Sequence, residues 1–179
     1  MPVSSIRTAT GLDIRRASRV QMQHVADLIR SSADWYAEFV ASDDLAEHYV
    51  DANWQERNFR LRDFYLGYDK SGKAIGTLSL QYFGDRAYIG YLYLDTSCVG
   101  RGYGRDFLNF ACRQAEKREA SALCLLAHPK ARWAVKAYEK FGFRRVMSSK
   151  SAILAWRQGV MKPYYEEGFD FYECALEQD

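Results

Sequence analysis

The chain has no long apolar run, no surplus of one charge and no close cysteine pair, and each absence removes a class of protein. No hydrophobic stretch approaches the ~20 residues that span a bilayer. The net charge is +2, from 25 basic and 23 acidic residues, too even for a general nucleic-acid or membrane-surface role. Cys98, Cys112, Cys124 and Cys174 lack the CxxC spacing of a zinc or redox motif. They read as free, mostly buried thiols of a reducing compartment, so no metal and a cytoplasmic location are expected. Met1 to Gly11 has no apolar core and carries Arg7 as its one charge. That fits neither a signal nor a transit peptide, and residues 1–11 read as a flexible tail. What is present is ordinary globular material. At 179 residues, 48% hydrophobic and 27% charged, the chain has room for one domain, over residues 12–179, with a full core.

Periodicity divides that domain into an α/β order. Leu12 to Ala17 reads as a short strand. Val20 to Ser31 has helical spacing, with Met22, Val25, Leu28 and Ile29 on one face. Asp43 to Asn58 reads as a second helix, capped by Asp43 or Asp44, with Leu45, Tyr49, Val50 and Trp54 as its apolar stripe. Asp63–Tyr68, Ala74–Phe83 and Ala87–Asp95 alternate like strands and are joined by Gly-containing turns, which predicts an antiparallel meander. A helix follows from Tyr103 to about Arg118, with Phe107, Leu108, Ala111 and Ala115 inward. The apolar run Ala122–Ala127 then reads as a strand buried on both faces. A helix from about Lys130 to Lys140 should bury Ala134, Val135, Tyr138 and Phe141 before Gly142 ends it. Strand–helix–strand order implies a parallel crossover beside the meander. Phe143–Met147 and Phe169–Leu176 read as the last strands, with no pattern assigned to Lys150–Lys162.

The sharpest feature is Val99-Gly-Arg-Gly-Tyr-Gly104, between a strand and a helix. Three glycines allow a tight turn and a close ligand approach. The helix that begins there aims its unpaired N–H groups and dipole at the loop, as in a phosphate cradle. Rival motifs fail on specific residues. A dinucleotide-binding fingerprint needs glycine at Arg105 or Phe107. Gly67-Tyr-Asp-Lys-Ser-Gly-Lys73 opens like a Walker A loop, but Ala74 replaces Ser/Thr and a strand follows. Arg101-Gly-Tyr-Gly104 opens like an RNA-binding RNP1 strand, but Arg105, Asp106 and Leu108 break that pattern and the segment continues as a helix.

A second motif joins the loop: Ala134-Val-Lys-Ala-Tyr138-Glu-Lys-Phe-Gly-Phe143. Together the two segments resemble motifs A and B of the GCN5-related N-acetyltransferase (GNAT) family, over roughly Leu12 to Leu176. The resemblance implies a single-domain α/β fold: a mixed, mostly antiparallel central sheet flanked by helices, with a splayed strand pair forming the acyl-CoA cleft. It implies acetyl-CoA as cosubstrate and a primary amine of a small molecule or peptide as acceptor, attacked directly in a ternary complex. Val99, Gly100, Arg101, Gly102, Tyr103 and Gly104 would hold the pyrophosphate of coenzyme A through backbone amides, with Arg101 and Arg105 adding charge. Leu94 and its neighbours would bond the pantetheine arm, and the amide near Leu94–Asp95 would polarise the thioester. Tyr138 matches the tyrosine that protonates the departing thiolate, a role that suits a phenol at neutral pH.

The sequence departs from the family in three places. Val99 stands where the loop usually begins with Arg or Gln. Ala131 replaces an Asn that often precedes motif B. Tyr88 and Leu126 occupy the two positions where relatives carry a catalytic Glu. The general base is therefore open among His128, Asp95 and a water chain lined by Tyr88 or Tyr93, although His128 reads first as a structural or exposed histidine before Pro129 and Asp95 as a cap of the loop. Loss of the carboxylates leaves a non-catalytic acyl-CoA-binding protein as the alternative. An acceptor groove would be lined by Trp35, Tyr36, Glu38, Phe39, Asp43, Asp44 and Glu47 on one side and Tyr164, Tyr165, Glu166 and Glu167 on the other. Aromatics with carboxylates suit a cationic amine as much as they suit a plain core and acidic surface. The acceptor, the acyl length and the oligomeric state, a homodimer included, stay open.

Overall fold

A computed structural model of the protein describes residues 6–37 and 50–177. The elements are β1 (Ile6–Arg7), β2 (Asp13–Arg16), α1 (Met22–Tyr36), α2 (Ala52–Leu61), β3 (Asp63–Tyr68), β4 (Ala74–Phe83) and β5 (Arg86–Leu94). Then come α3 (Tyr103–Lys117), β6 (Ala122–Ala127), α4 (Arg132–Phe141), β7 (Arg144–Met147), α5 (Lys150–Ala155) and β8 (Asp170–Ala175). The described strands form one eight-stranded sheet in the order β1-β2-β3-β4-β5-β6-β8-β7. Every neighbouring pair is antiparallel except β5 and β6, which the α3 crossover makes parallel. This is the single-domain, mixed, helix-flanked α/β fold expected from the sequence.

Period-two alternation sends successive strand residues to opposite faces. On one face Tyr65, Leu78, Leu80, Ile89, Leu123 and Leu125 meet the apolar stripe of α3. On the other, Phe64 and Leu66 meet Met22, Val25 and Ile29 of α1 and Trp54 of α2, while Tyr88, Cys124 and Phe171 meet Ile153 and Met161. The segment 150–162, unassigned by pattern, thus caps the β6–β8 part of that second face. The Asp51 carboxylate caps α2 by accepting from Trp54 N–H at 2.8 Å. The alternative caps Asp43 and Asp44, with Leu45 and Tyr49, lie outside the described residues.

Two expectations change. Within residues 1–11, which the sequence presents as a tail, the described part is ordered: Ile6 and Arg7 pair with Ile14 and Asp13, and Thr8 N–H donates to Leu12 O at 2.8 Å. A strand this short gives no periodicity to read; its partner supplies the order. The second change concerns α4, which has no fully buried residue. Val135, Tyr138 and Phe141 are only partly covered by the core, because the other flank of that helix borders a cleft.

Helix α3 is seated by a gap in the sheet. Gly67 and Gly76 lie directly opposite each other on β3 and β4. A Cβ on Gly76 would come within 2.6 Å of the Phe107 ring, and one on Gly67 within 2.7 Å. Filling a packed site of this kind costs about 1–3 kcal/mol. Gly76→Ala should therefore lower the urea midpoint with an unchanged m-value. An unaltered midpoint would show that Phe107 does not anchor the helix there.

Candidate functional site

The site begins where two strands part. β5 and β6 stay in register from Arg86↔Ala122 to Ile89↔Leu125, and no further. On its other side β5 remains with β4, but with a bulge: Ser79 faces Gly90 and Thr77 faces Tyr93, so Leu78 stands opposite both Tyr91 and Leu92. Tyr91 takes φ +46°, a left-handed conformation that disfavours a bulky side chain by roughly 1–2 kcal/mol. Packing holds it there. The Tyr91 ring meets Trp54 edge-on at 5.2 Å and Phe64 at 5.9 Å, and its hydroxyl accepts from Trp54 Nε1 at 3.3 Å. The extra residue turns β5 away from β6 and opens a fork.

One cavity, of about 700 Å³, runs from the fork along the glycine loop to α4. Leu94, Val99, Gly100, Gly102, Gly104, Arg105 and Tyr138 all line it. Arg101 is exposed beyond that lining, and Tyr103 packs partly into the core beneath. Gly100 and Gly102 take φ +85° and +86°, which explains glycine at both. Gly102 is the N-cap of α3 and supplies no side-chain cap, so the first N–H groups of the helix look onto the loop without an i−4 acceptor. The loop is braced from behind: the buried Asp106 carboxylate accepts from the hydroxyls of Thr8, at 2.6 Å, and Thr10. Lys136 and Lys140 of α4 join Arg105 around the cavity, and the exposed Trp133 stands at its edge. These three α4 residues carried no signal in the sequence, where they read as a solvated helix face.

A second cavity, of about 600 Å³, lies on the other side of the fork. Both cavities share Leu92, Tyr93, Ala134 and Tyr138, so Tyr138 stands at their junction. Tyr88 and Leu126 line the second cavity, as do Tyr164, Tyr165 and Glu166. Glu167 instead pairs with Lys150 at 2.8 Å. The side chains of Trp35 and Tyr36, and residues Glu38, Phe39, Asp43, Asp44 and Glu47, lie outside the described residues.

The candidate bases sort by their bonds. Asp95 accepts from Ser97 N–H at 3.0 Å and Oγ at 2.7 Å and pairs with Lys73 at 3.2 Å. The Ser97 bonds, with Lys73 behind them, hold its carboxyl below the usual range, so it is a cap and a weak proton acceptor. The backbone N–H of Asp95 donates to Ile75 O at 2.7 Å, so it is already committed and cannot polarise a bound carbonyl. Further up β5, Tyr91 and Leu92 have no register partner on β6. His128 is buried and its Nδ1 accepts from Lys130 N–H at 3.1 Å, which places the proton of the neutral ring on Nε2. Burial pushes Tyr88 strongly upward, so it stays a phenol.

The sequence matches the Acetyltransferase (GNAT) family over residues 27–143. The chain belongs to that family. Solved structures share the fold of this GNAT chain at low identity. The PaiA N-acetyltransferase of Thermoplasma acidophilum, in complex with coenzyme A, is 16% identical with a TM-score of 0.72, covering 92% of this chain and 99% of that one. A GNAT-family acetyltransferase of Staphylococcus aureus Mu50 is 15% identical with a TM-score of 0.69, over 93% and 99%. A spermidine N-acetyltransferase SpeG chimera from Vibrio cholerae and hSSAT is 14% identical with a TM-score of 0.64, over 92% and 95%. No curated protein matches the sequence.

His128 makes a pH prediction for this GNAT chain. Burial, with the Lys130 charge behind it, lowers its pKa below the ordinary 6.5. The unfolded chain then binds more protons than the folded one as pH falls below about 6.5, so stability declines with acid there. His128→Gln should flatten the loss of urea midpoint between about pH 7.5 and 5.5. An equally steep loss in the variant would mean that His128 contributes nothing to it.

Proposed function

We propose that the protein transfers an acetyl group from acetyl-CoA to a primary amine of a small molecule or peptide, by direct attack in a ternary complex. The observation that carries this reading is the pair of cavities meeting at Tyr138 over a parted β5–β6 fork. Family membership supports acyl transfer in general.

In this reading the backbone of Val99, Gly100, Arg101, Gly102, Tyr103 and Gly104 receives the pyrophosphate at the α3 N-terminus, where the helix dipole favours anions. Arg101 and Arg105 add charge, and Lys136 and Lys140 extend it along α4. The adenine ring can rest on the exposed face of Trp133. The pantetheine arm enters the fork past Leu94 toward the bulge. The amine enters from the second cavity. Its nitrogen forms a bond to the thioester carbon, and the collapsing tetrahedral intermediate breaks the C–S bond. Tyr138 gives its proton to the departing thiolate, and the amine's surplus proton passes to water in the acceptor cavity. No metal takes part in these steps.

The missing carboxylates at Tyr88 and Leu126 favour one second reading, an acyl-CoA-binding protein without turnover. The two readings share a first test. Acetyl-CoA at 100 times its Kd should stabilise the fold by about 2.7 kcal/mol, seen as a rise in Tm, and no rise would reject both. Thiol release with a panel of amines then separates them. Tyr138→Phe should cut kcat about 10²-fold or more while leaving coenzyme A affinity unchanged. Full turnover in that variant would end its role as acid.

A further inference from the structure

The second cavity contains a buried cation, Arg62, with no counter-charge among the described residues. Arg62 caps the C-terminal end of α2 and is 8% exposed. Its guanidinium lies between two aromatic rings, 4.7 Å from the centre of Tyr91 and 5.0 Å from that of Tyr164. β5 makes room for it: a Cβ on Gly90 would come within 2.7 Å of Arg62 Nη1. Gly90 follows directly on Ile89, the last residue of β5 paired with β6, so the guanidinium sits at the mouth of the fork.

Rings on two sides and backbone beneath leave the edge of this planar group to find acceptors. Among the described residues it finds none. No side-chain hydrogen bond or ion pair reaches Arg62, and its Nε is buried without a partner. The adjacent carboxylate, Asp63, is taken by Arg16 at 2.6 Å. Glu166 and Arg57 line the same cavity. The other buried orphan, Gln81 Oε1, belongs to a side chain whose amide donates to the Tyr164 hydroxyl at 2.9 Å. Both unpartnered atoms therefore flank one ring of one cavity.

A buried charge with no partner is costly, and cation–π contacts offset only part of that. The deficit is met when a ligand brings the anion. We infer that the acceptor cavity takes an amine that carries its own carboxylate, with Arg62 holding the carboxylate while the amine reaches the fork. A single guanidinium neutralises a monoanion; a phosphate dianion would leave buried negative charge behind. The aromatic walls, Tyr88, Tyr164 and Phe169, suit an apolar or aromatic side chain on that acceptor. The inference rests on the acetyltransferase reading and narrows the acceptor that the sequence leaves open, because Arg62 places a positive charge in the cavity.

The test compares matched acceptors that differ by the carboxylate: L-phenylalanine with phenethylamine, L-tyrosine with tyramine, L-tryptophan with tryptamine. A charge-assisted bond of this kind corresponds to about 10- to 100-fold in kcat/KM in favour of the amino acid. Arg62→Gln should bring each pair within about threefold, and Arg62→Lys, which keeps the charge but not the fork, should fall between. Coenzyme A affinity and the far-ultraviolet spectrum should not change in either variant. A second arm needs no turnover: calorimetric binding of N-acetyl-L-phenylalanine against N-acetylphenethylamine, with and without coenzyme A. Preference for the carboxylate in this arm, abolished by Arg62→Gln, upholds the inference even if no thiol is released, in which case the catalytic reading fails alone. Equal or better use of the decarboxylated amine, or binding of neither product, overturns it.

Discussion

A β-bulge at Tyr91 governs the rest of this molecule. One residue more on β5 than on β4 puts Gly90 and Tyr91 against the same face of the sheet, and β5 can no longer follow β6 beyond Ile89. A bulky residue at φ +46° would not keep that conformation in isolation. It is kept because Trp54 and Phe64 grip its ring from the α2 side. The open fork is thus a consequence of core packing, and the two cavities it joins inherit their relative position from the same few aromatics.

That arrangement separates two kinds of charge recognition. On the glycine-loop side, backbone N–H groups and the exposed cations Arg105, Lys136 and Lys140 line the cavity, and in the proposed function they meet anions. On the other side Arg62 is buried and stacked between rings. The first suits a highly charged nucleotide that keeps part of its hydration. The second suits a single charge that has left water, where each hydrogen bond counts for more. Arg62 and the bulge are also physically linked, since Tyr91 is both the residue that bends the strand and one of the two rings that hold the guanidinium.

Much of this was legible in the chain. The glycine loop and the Ala134–Phe143 segment are contiguous signals, and both fell where the pattern put them: a helix N-terminus and a helix beside the cleft. The central strands β3, β4 and β6 read as near-continuous apolar runs because both of their faces are covered. The bulge was not legible, since Ala-Tyr-Ile-Gly-Tyr-Leu-Tyr-Leu reads as unbroken strand until its partner β4 is known. Nor was Arg62, which ends a polar helix and looks solvated until Tyr164 folds over it from the far end of the chain. The Asp95 amide seemed available as a donor because only the β4–β5 register reveals that Ile75 already takes it. Local chemistry can be read from neighbours in sequence; burial and bond competition depend on residues that meet only after folding.

The central claim is that the parted strands receive a thioester on one side and its acceptor on the other. A crystal structure with coenzyme A bound tests it directly. The account requires the pantetheine arm to lie between β5 and β6, its sulfur beside the Tyr138 hydroxyl and its pyrophosphate on the Val99–Gly104 backbone. A cofactor bound elsewhere, or strands zipped together past Ile89 with the arm excluded, would contradict it.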